Sequence, residues 1–145
     1  MSGGRTHATV TTIAAAILII TAPVYTEYFG IESAGMIIGT AAGLFLTPDL
    51  DQDNPVYSHY LTGKIYMPLR WAWGIIWLPY AKLIPHRSWV SHAPIAGTLI
   101  RIIYLNIITV CLCGQSIQWI TKSLFWWVIA GIAIADFLHW IFDQL

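Results

Sequence analysis

Charge is scarce in this chain. Only 10% of its 145 residues are Asp, Glu, Lys or Arg, and 7 bases offset 7 acids to a formal net charge of +0. Such a balance offers no basic surface, which excludes a nucleic-acid partner. Cysteine is scarcer still: Cys111 and Cys113 sit in one apolar run. At that spacing on a helix they cannot easily close a disulfide. No zinc-ribbon or Cys-x-x-C pattern is present, so they read as packing residues. The chain has no internal repeat and no low-complexity linker, and reads as a single helical membrane domain over 1–145. No small-residue cleavage pattern follows Tyr25, so the first apolar segment is expected to be a retained helix.

Apolar residues are what the chain has in plenty. They make up 57% of it, with a mean hydropathy of +0.67. That is too much, and too evenly spread, for a soluble globule. The apolar segments cover about 8–29, 31–46, 65–84, 94–113 and 117–142, and stretches of ~20 apolar residues read as membrane helices. The 8 Trp and 7 Tyr fit a membrane–water interface. The third stretch holds Arg70, Gly74, Pro79 and Lys82 among Trp71, Trp73, Trp77 and Tyr80, which suits an interfacial or re-entrant helix. The expected fold is therefore all-α and polytopic, with about four transmembrane helices plus that interfacial one. The lipid bilayer is one partner. Gly35, Gly39 and Gly43 recur at small-xxx-small spacing and form a face for another helix, expected to receive a neighbouring membrane subunit.

The few ionisable groups are bunched at segment borders: His7, Asp49, Asp51, His86, His92, Asp136, His139 and Asp143. Each such group is costly near lipid, so groups retained together point to a ligand. Asp and His together are metal-ligating chemistry. Asp136, His139 and Asp143 fall at i, i+3 and i+7, one face of a helix. Taken alone, that motif also fits an amphipathic helix end anchored by Trp140. His86 and His92 flank a loop and a helix start, for which Ser91 reads as the N-cap and Pro94 as a first-turn residue. With four crossings, every one of these acids and histidines falls on one side of the membrane. Arg5, Lys64, Arg70, Lys82 and Arg87 fall there too, against Lys122 alone on the other, so both termini and the polar cluster are expected to be cytoplasmic.

At these residues the chain resembles a bacterial and cyanobacterial family of integral-membrane metal-binding proteins of unknown function. The resemblance is carried by Arg5-Thr6-His7, Pro48-Asp49-Leu50-Asp51-Gln52-Asp53, Trp77-Leu78-Pro79-Tyr80, the block His86-Arg87-Ser88-Trp89-Val90-Ser91-His92-Ala93-Pro94, Gly97-Thr98 and the Asp136–His139 pair. A more distant similarity is to YdjM-like inner-membrane metal-dependent hydrolases, through a Thr-His start, a Pro-Asp-x-Asp loop, a His-Arg block and a late His-x-x-x-Asp. The resemblance implies a metal centre in a bacterial inner (or thylakoid) membrane, and a hydrolase only weakly.

The residues support a specific assignment. His7, Asp49, Asp51, His86, His92, Asp136 and His139 are expected to bind one or two divalent ions, zinc first because imidazoles are plentiful, with manganese or iron open because carboxylates are too. Arg87 and Arg101 are expected to hold an anionic substrate. Arg101 lies seven residues past Pro94, ~10 Å into its helix, where a cation needs a partner. Asp51 or Asp143 would act as catalytic base. The function expected is hydrolysis of a phosphoester or lipid substrate at the cytoplasmic face. The alternative is a non-catalytic accessory subunit with a structural metal site.

Overall fold

A computed structural model describes residues 4–52, 56–86, 88–114 and 122–144. All regular structure among these residues is helical. Helix α1 spans Gly4–Phe29, and a 3-10 turn at Ile31–Ala34 runs into α2, Gly35–Ala42. A second 3-10 turn, Pro48–Asp51, precedes α3 (Tyr57–Ile65) and α4 (Met67–Leu83). The short α5, Trp89–His92, leads into α6 (Pro94–Cys113), and α7 closes the chain at Ser123–Gln144.

Three helices, α1, α6 and α7, are long and apolar enough to cross a membrane. The second apolar segment departs from expectation. Its helical part, Ile31–Ala42, is shorter, and its 12 residues rise only ~18 Å against a hydrocarbon core of ~30 Å. Burial is inverted relative to a soluble domain. In α1 only His7 and Thr11 are buried, while Ile13, Ile17, Ile20 and Val24 are exposed. Across the described residues more polar side chains than apolar ones are fully enclosed. In water that arrangement would leave large apolar patches wet.

The bundle is closed by small residues. Helix α2 packs along α7, and Gly39 and Gly131 are the point of closest approach. A Cβ on Gly39 would run into the Val128 carbonyl, and one on Gly131 into the Met36 carbonyl. Gly43 meets Ala135, and Gly35 meets Leu124 and Trp127. The small-residue face that the sequence offered to a neighbouring subunit is thus filled by α7 of the same chain. Cys111 and Cys113 also differ from expectation: both are free and exposed on the last turn of α6. Gly114 ends that helix in the left-handed conformation, φ 68°, with its N–H donating to the Val110 carbonyl at 2.8 Å.

The third apolar stretch is one arm of a hairpin. Helix α3, which lies almost wholly between the apolar segments 31–46 and 65–84, packs against α4, and the chain returns to where it left. His86 ends within 2.7 Å of Asp51. An aromatic core fixes this return. Trp77, Tyr80 and Tyr104 form a triangle with ring centroids 5.2–5.4 Å apart, and the Tyr104 hydroxyl donates to the Ile76 carbonyl. Leu50, 1% exposed, inserts into the same cluster.

Candidate metal centre

Leu50 is the peg that orients the first pair of acids. Thr47 caps the 3-10 turn by accepting from the Asp49 N–H at 3.4 Å, and Pro48 presets its first residue. With Leu50 buried against Trp77 and Tyr80, the flanking Asp49 and Asp51 face the ends of α1, α5 and α7. Gln52 donates its amide to Asp49 Oδ1 at 3.2 Å, steadying that carboxylate. The other loop is built by Ser88, not Ser91. Ser88 caps α5 by accepting from the Ser91 N–H, and Pro94 takes the first turn of α6. Ser91 instead sits within α5, its hydroxyl 2.8 Å from His92 Nδ1.

The outcome is a string of alternating imidazoles and carboxylates. His7 Nε2 lies 3.2 Å from Asp143 Oδ1, and His139 Nε2 lies 3.3 Å from Asp143 Oδ2 and 3.5 Å from Asp49 Oδ1. His92 Nδ1 lies 3.5 Å from Asp51 Oδ2, whose other oxygen meets His86. The His7 and His139 rings stack at 3.7 Å, and His92 lies 5.9 Å from His139. Three groups bring ligand atoms within 4.8 Å of one another: His7–His139–Asp143, Asp49–His92–His139 and Asp51–His86–His92. His139 and His92 are each shared by two of them.

This donor set fits a divalent ion. His92 Nε2 is buried and has no hydrogen-bond partner among the described residues, a cost of ~1–3 kcal/mol unless something binds there. Burial, against the pull of Asp51, holds the His92 imidazole below its ordinary value. Its ring is then neutral at pH 7, the form a metal requires. Burial pushes the Asp49 carboxyl up, but the hydrogen bond and charge of His139, with the charges of His7 and His92, outweigh it and leave the group below its ordinary value. A cavity of about 20 Å³, lined by His7, Asp49 and His139, lies on the inner side; that is room for one water or ion. On the outer side an open cleft of about 510 Å³ reaches His92 and Asp143.

Two residues expected in the centre are held elsewhere. Asp136, 1% exposed, is in none of the three ligand groups. Its Oδ2 accepts from the Arg101 guanidinium and from the Thr98 hydroxyl. Arg101, also 1% exposed, gives its remaining Nη1 to the Ser91 carbonyl at 3.1 Å. Expected to hold an anionic substrate, it is instead enclosed beneath the centre: it pins α6 to α7 and holds the helix carrying His92. Arg87 lies outside the described residues, as does Asp53. Asp143, assigned a catalytic role from sequence, lies among the ligand atoms. His59, the one histidine the sequence reading left out, is buried apart from the string, between α3 and α4.

No curated protein and no solved structure matches the chain significantly. One family model does, over residues 2–145, and its description is "Uncharacterized metal-binding protein (DUF2227)". The imidazole and carboxylate groups agree with that description, and the match spans nearly every residue; the chain belongs to this metal-binding family.

Proposed function

We propose that the protein is a polytopic membrane protein whose cytoplasmic end carries one or two divalent ions, zinc first, and that it hydrolyses a phosphoester or lipid substrate at the membrane surface. The observation that carries this reading is the shared use of His92 and His139, which continues the ligand string up to an open cleft. Residues with two neighbouring sites in common are suited to paired ions. When bound, a divalent ion supplies Lewis acidity, polarising a phosphoryl oxygen and making water acidic near neutral pH. Asp49, His92 and His139 would hold it on the inner side, with His7 stacked on His139, and Asp51, His86 and His92 on the outer.

The proton acceptor is chosen by exposure. The Asp51 side chain is fully buried and engaged by His86, whereas Asp143 keeps 14% of its side chain accessible and lines the cleft. Asp143 is therefore the base, taking a proton on a carboxylate oxygen from water in the cleft. Orientation follows the cations: Arg5, Lys64, Arg70 and Lys82 precede or follow the polar segments, and such a bias marks the cytoplasmic side.

A second reading has its own support. The ligands join the first turn of α1 to the last of α7, so metal could serve purely as a staple. The experiment measures metal content by mass spectrometry on protein purified in mild detergent, then turnover of phosphomonoester, phosphodiester and phospholipid substrates. The catalytic reading expects metal retained in Asp143→Asn with turnover lost. Metal-loaded protein inert on every substrate supports the staple; absence of metal sinks both.

A further inference from the structure

Away from the metal centre, α3 and α4 enclose an open groove of about 570 Å³. Its lining is part polar and part apolar. His59 and Arg70 line the polar part, and Trp71, Ile75 and Leu78 the rest. Glycines make room for both polar groups. A Cβ on Gly63 would meet the Arg70 stem at 3.1 Å, and one on Gly74 would sit 3.6 Å from the His59 ring. His59 is 8% exposed, and its buried Nδ1 has no hydrogen-bond partner among the described residues. The charge of Arg70 acts on His59. The apolar wall is largely exposed: Trp71 and Ile75 are each 71% exposed.

A cation beside an imidazole donor wants an anion with several oxygens, and Arg matches phosphate. An adjoining exposed wall of Trp, Ile and Leu wants hydrocarbon. One molecule satisfies both. We propose that this groove binds an anionic phospholipid, its phosphate held by Arg70 and His59 and an acyl chain laid along Trp71, Ile75 and Leu78. Burial and the neighbouring Arg70 keep His59 below its ordinary value, so the ring is a neutral donor and the site's one positive charge matches a single phosphodiester. Gln52 lines the mouth of the groove and also donates to Asp49, so a bound lipid lies beside the metal centre. The proposal rests on the membrane reading above and not on the hydrolase reading.

The test uses the full chain in mild detergent and native mass spectrometry. Phosphatidylglycerol, phosphatidylcholine and soluble glycerol phosphate are titrated separately. Arg70→Gln should weaken phosphatidylglycerol ~ten-fold or more, the loss expected of charge-assisted hydrogen bonds. Gly74→Leu, which fills the groove while leaving Arg70 in place, should weaken it comparably. Arg5→Gln removes a base outside the groove and should change nothing. Metal content must stay at the wild-type level in each variant, so that loss of lipid is not loss of fold. Equal binding of phosphatidylglycerol by wild type, Arg70→Gln and Gly74→Leu overturns the proposal. So does glycerol phosphate binding as tightly as the lipid, which would make the ligand a free phosphate. Protein that stays in the membrane fraction yet carries no selective adduct defeats the groove and leaves the membrane reading intact.

Discussion

Replacing Asp136 by Asn should be among the most damaging single changes available in this chain. The carboxylate is 1% exposed and accepts from both Arg101 and Thr98. Asn keeps the shape and removes the charge. Arg101, itself 1% exposed, is then a buried cation without a counter-charge. Breaking a buried pair from one side costs about 3–5 kcal/mol, roughly a hundred- to several-thousand-fold in the folded-to-unfolded ratio. The pair is asymmetric. Arg101→Met leaves a buried carboxyl, which can escape its charge by taking a proton, whereas a guanidinium in a protein cannot lose one. Asp136→Asn should therefore cost more than Arg101→Met, and Arg101→Met with Asp136→Leu should recover most of the loss. Reversible unfolding in mixed micelles, followed by far-ultraviolet circular dichroism, measures all three. Asp136→Asn within ~1 kcal/mol of wild type, the range of exposed pairs, would refute the argument.

Four further outcomes can be checked. His139→Ala should strip more metal than His86→Ala, since His139 belongs to two ligand groups and the exposed His86 to one; elemental analysis of the two purified variants decides, and equal losses would break the shared-ligand account. Metal retention should hold at neutral pH and through the ordinary imidazole value of about 6.5, and fall only in more acid medium. The sign follows from His92, whose lowered value keeps the ring neutral, and therefore ligating, further into acid; metal lost above neutrality would contradict it. Gly39→Val should prevent α2 from seating on α7, because its Cβ meets the Val128 backbone rather than a movable side chain; a melting temperature near wild type would count against that packing. Leu50→Ala, at 1% exposure, should cost about 2–5 kcal/mol and lower metal content as well, because Asp49 and Asp51 lose their peg.

Much of the site could be read from the sequence because ionisable residues are few in so apolar a chain, so their clustering is informative. His7, Asp49, Asp51, His86, His92, His139 and Asp143, scattered from the first turn of α1 to the last of α7, do converge. Helical periodicity could not separate Asp136 from His139, since both share a face. What separates them is depth: Asp136 lies one turn further in, beside Arg101 and Thr98. That required knowing that α6 packs on α7. Helix α3 was hidden because Ser58, His59 and Thr62 are its buried residues, so its inward face looks like a polar loop. For the same reason His59 was passed over. The Gly35–Gly43 face was recognisable as a packing surface, but spacing alone does not say whose helix fills it.

The order of the ligands along the chain sets an order of assembly. Of the three groups, only Asp51–His86–His92 is complete before α7 has been synthesised; both others wait for His139. A chain emerging from the ribosome can thus bring that group together early, while the two others form only when the final helix docks on Gly39 and its neighbours. Closure of those two groups is accordingly a report that α7 has docked. A chain stalled before α7 would hold one of the three ligand groups.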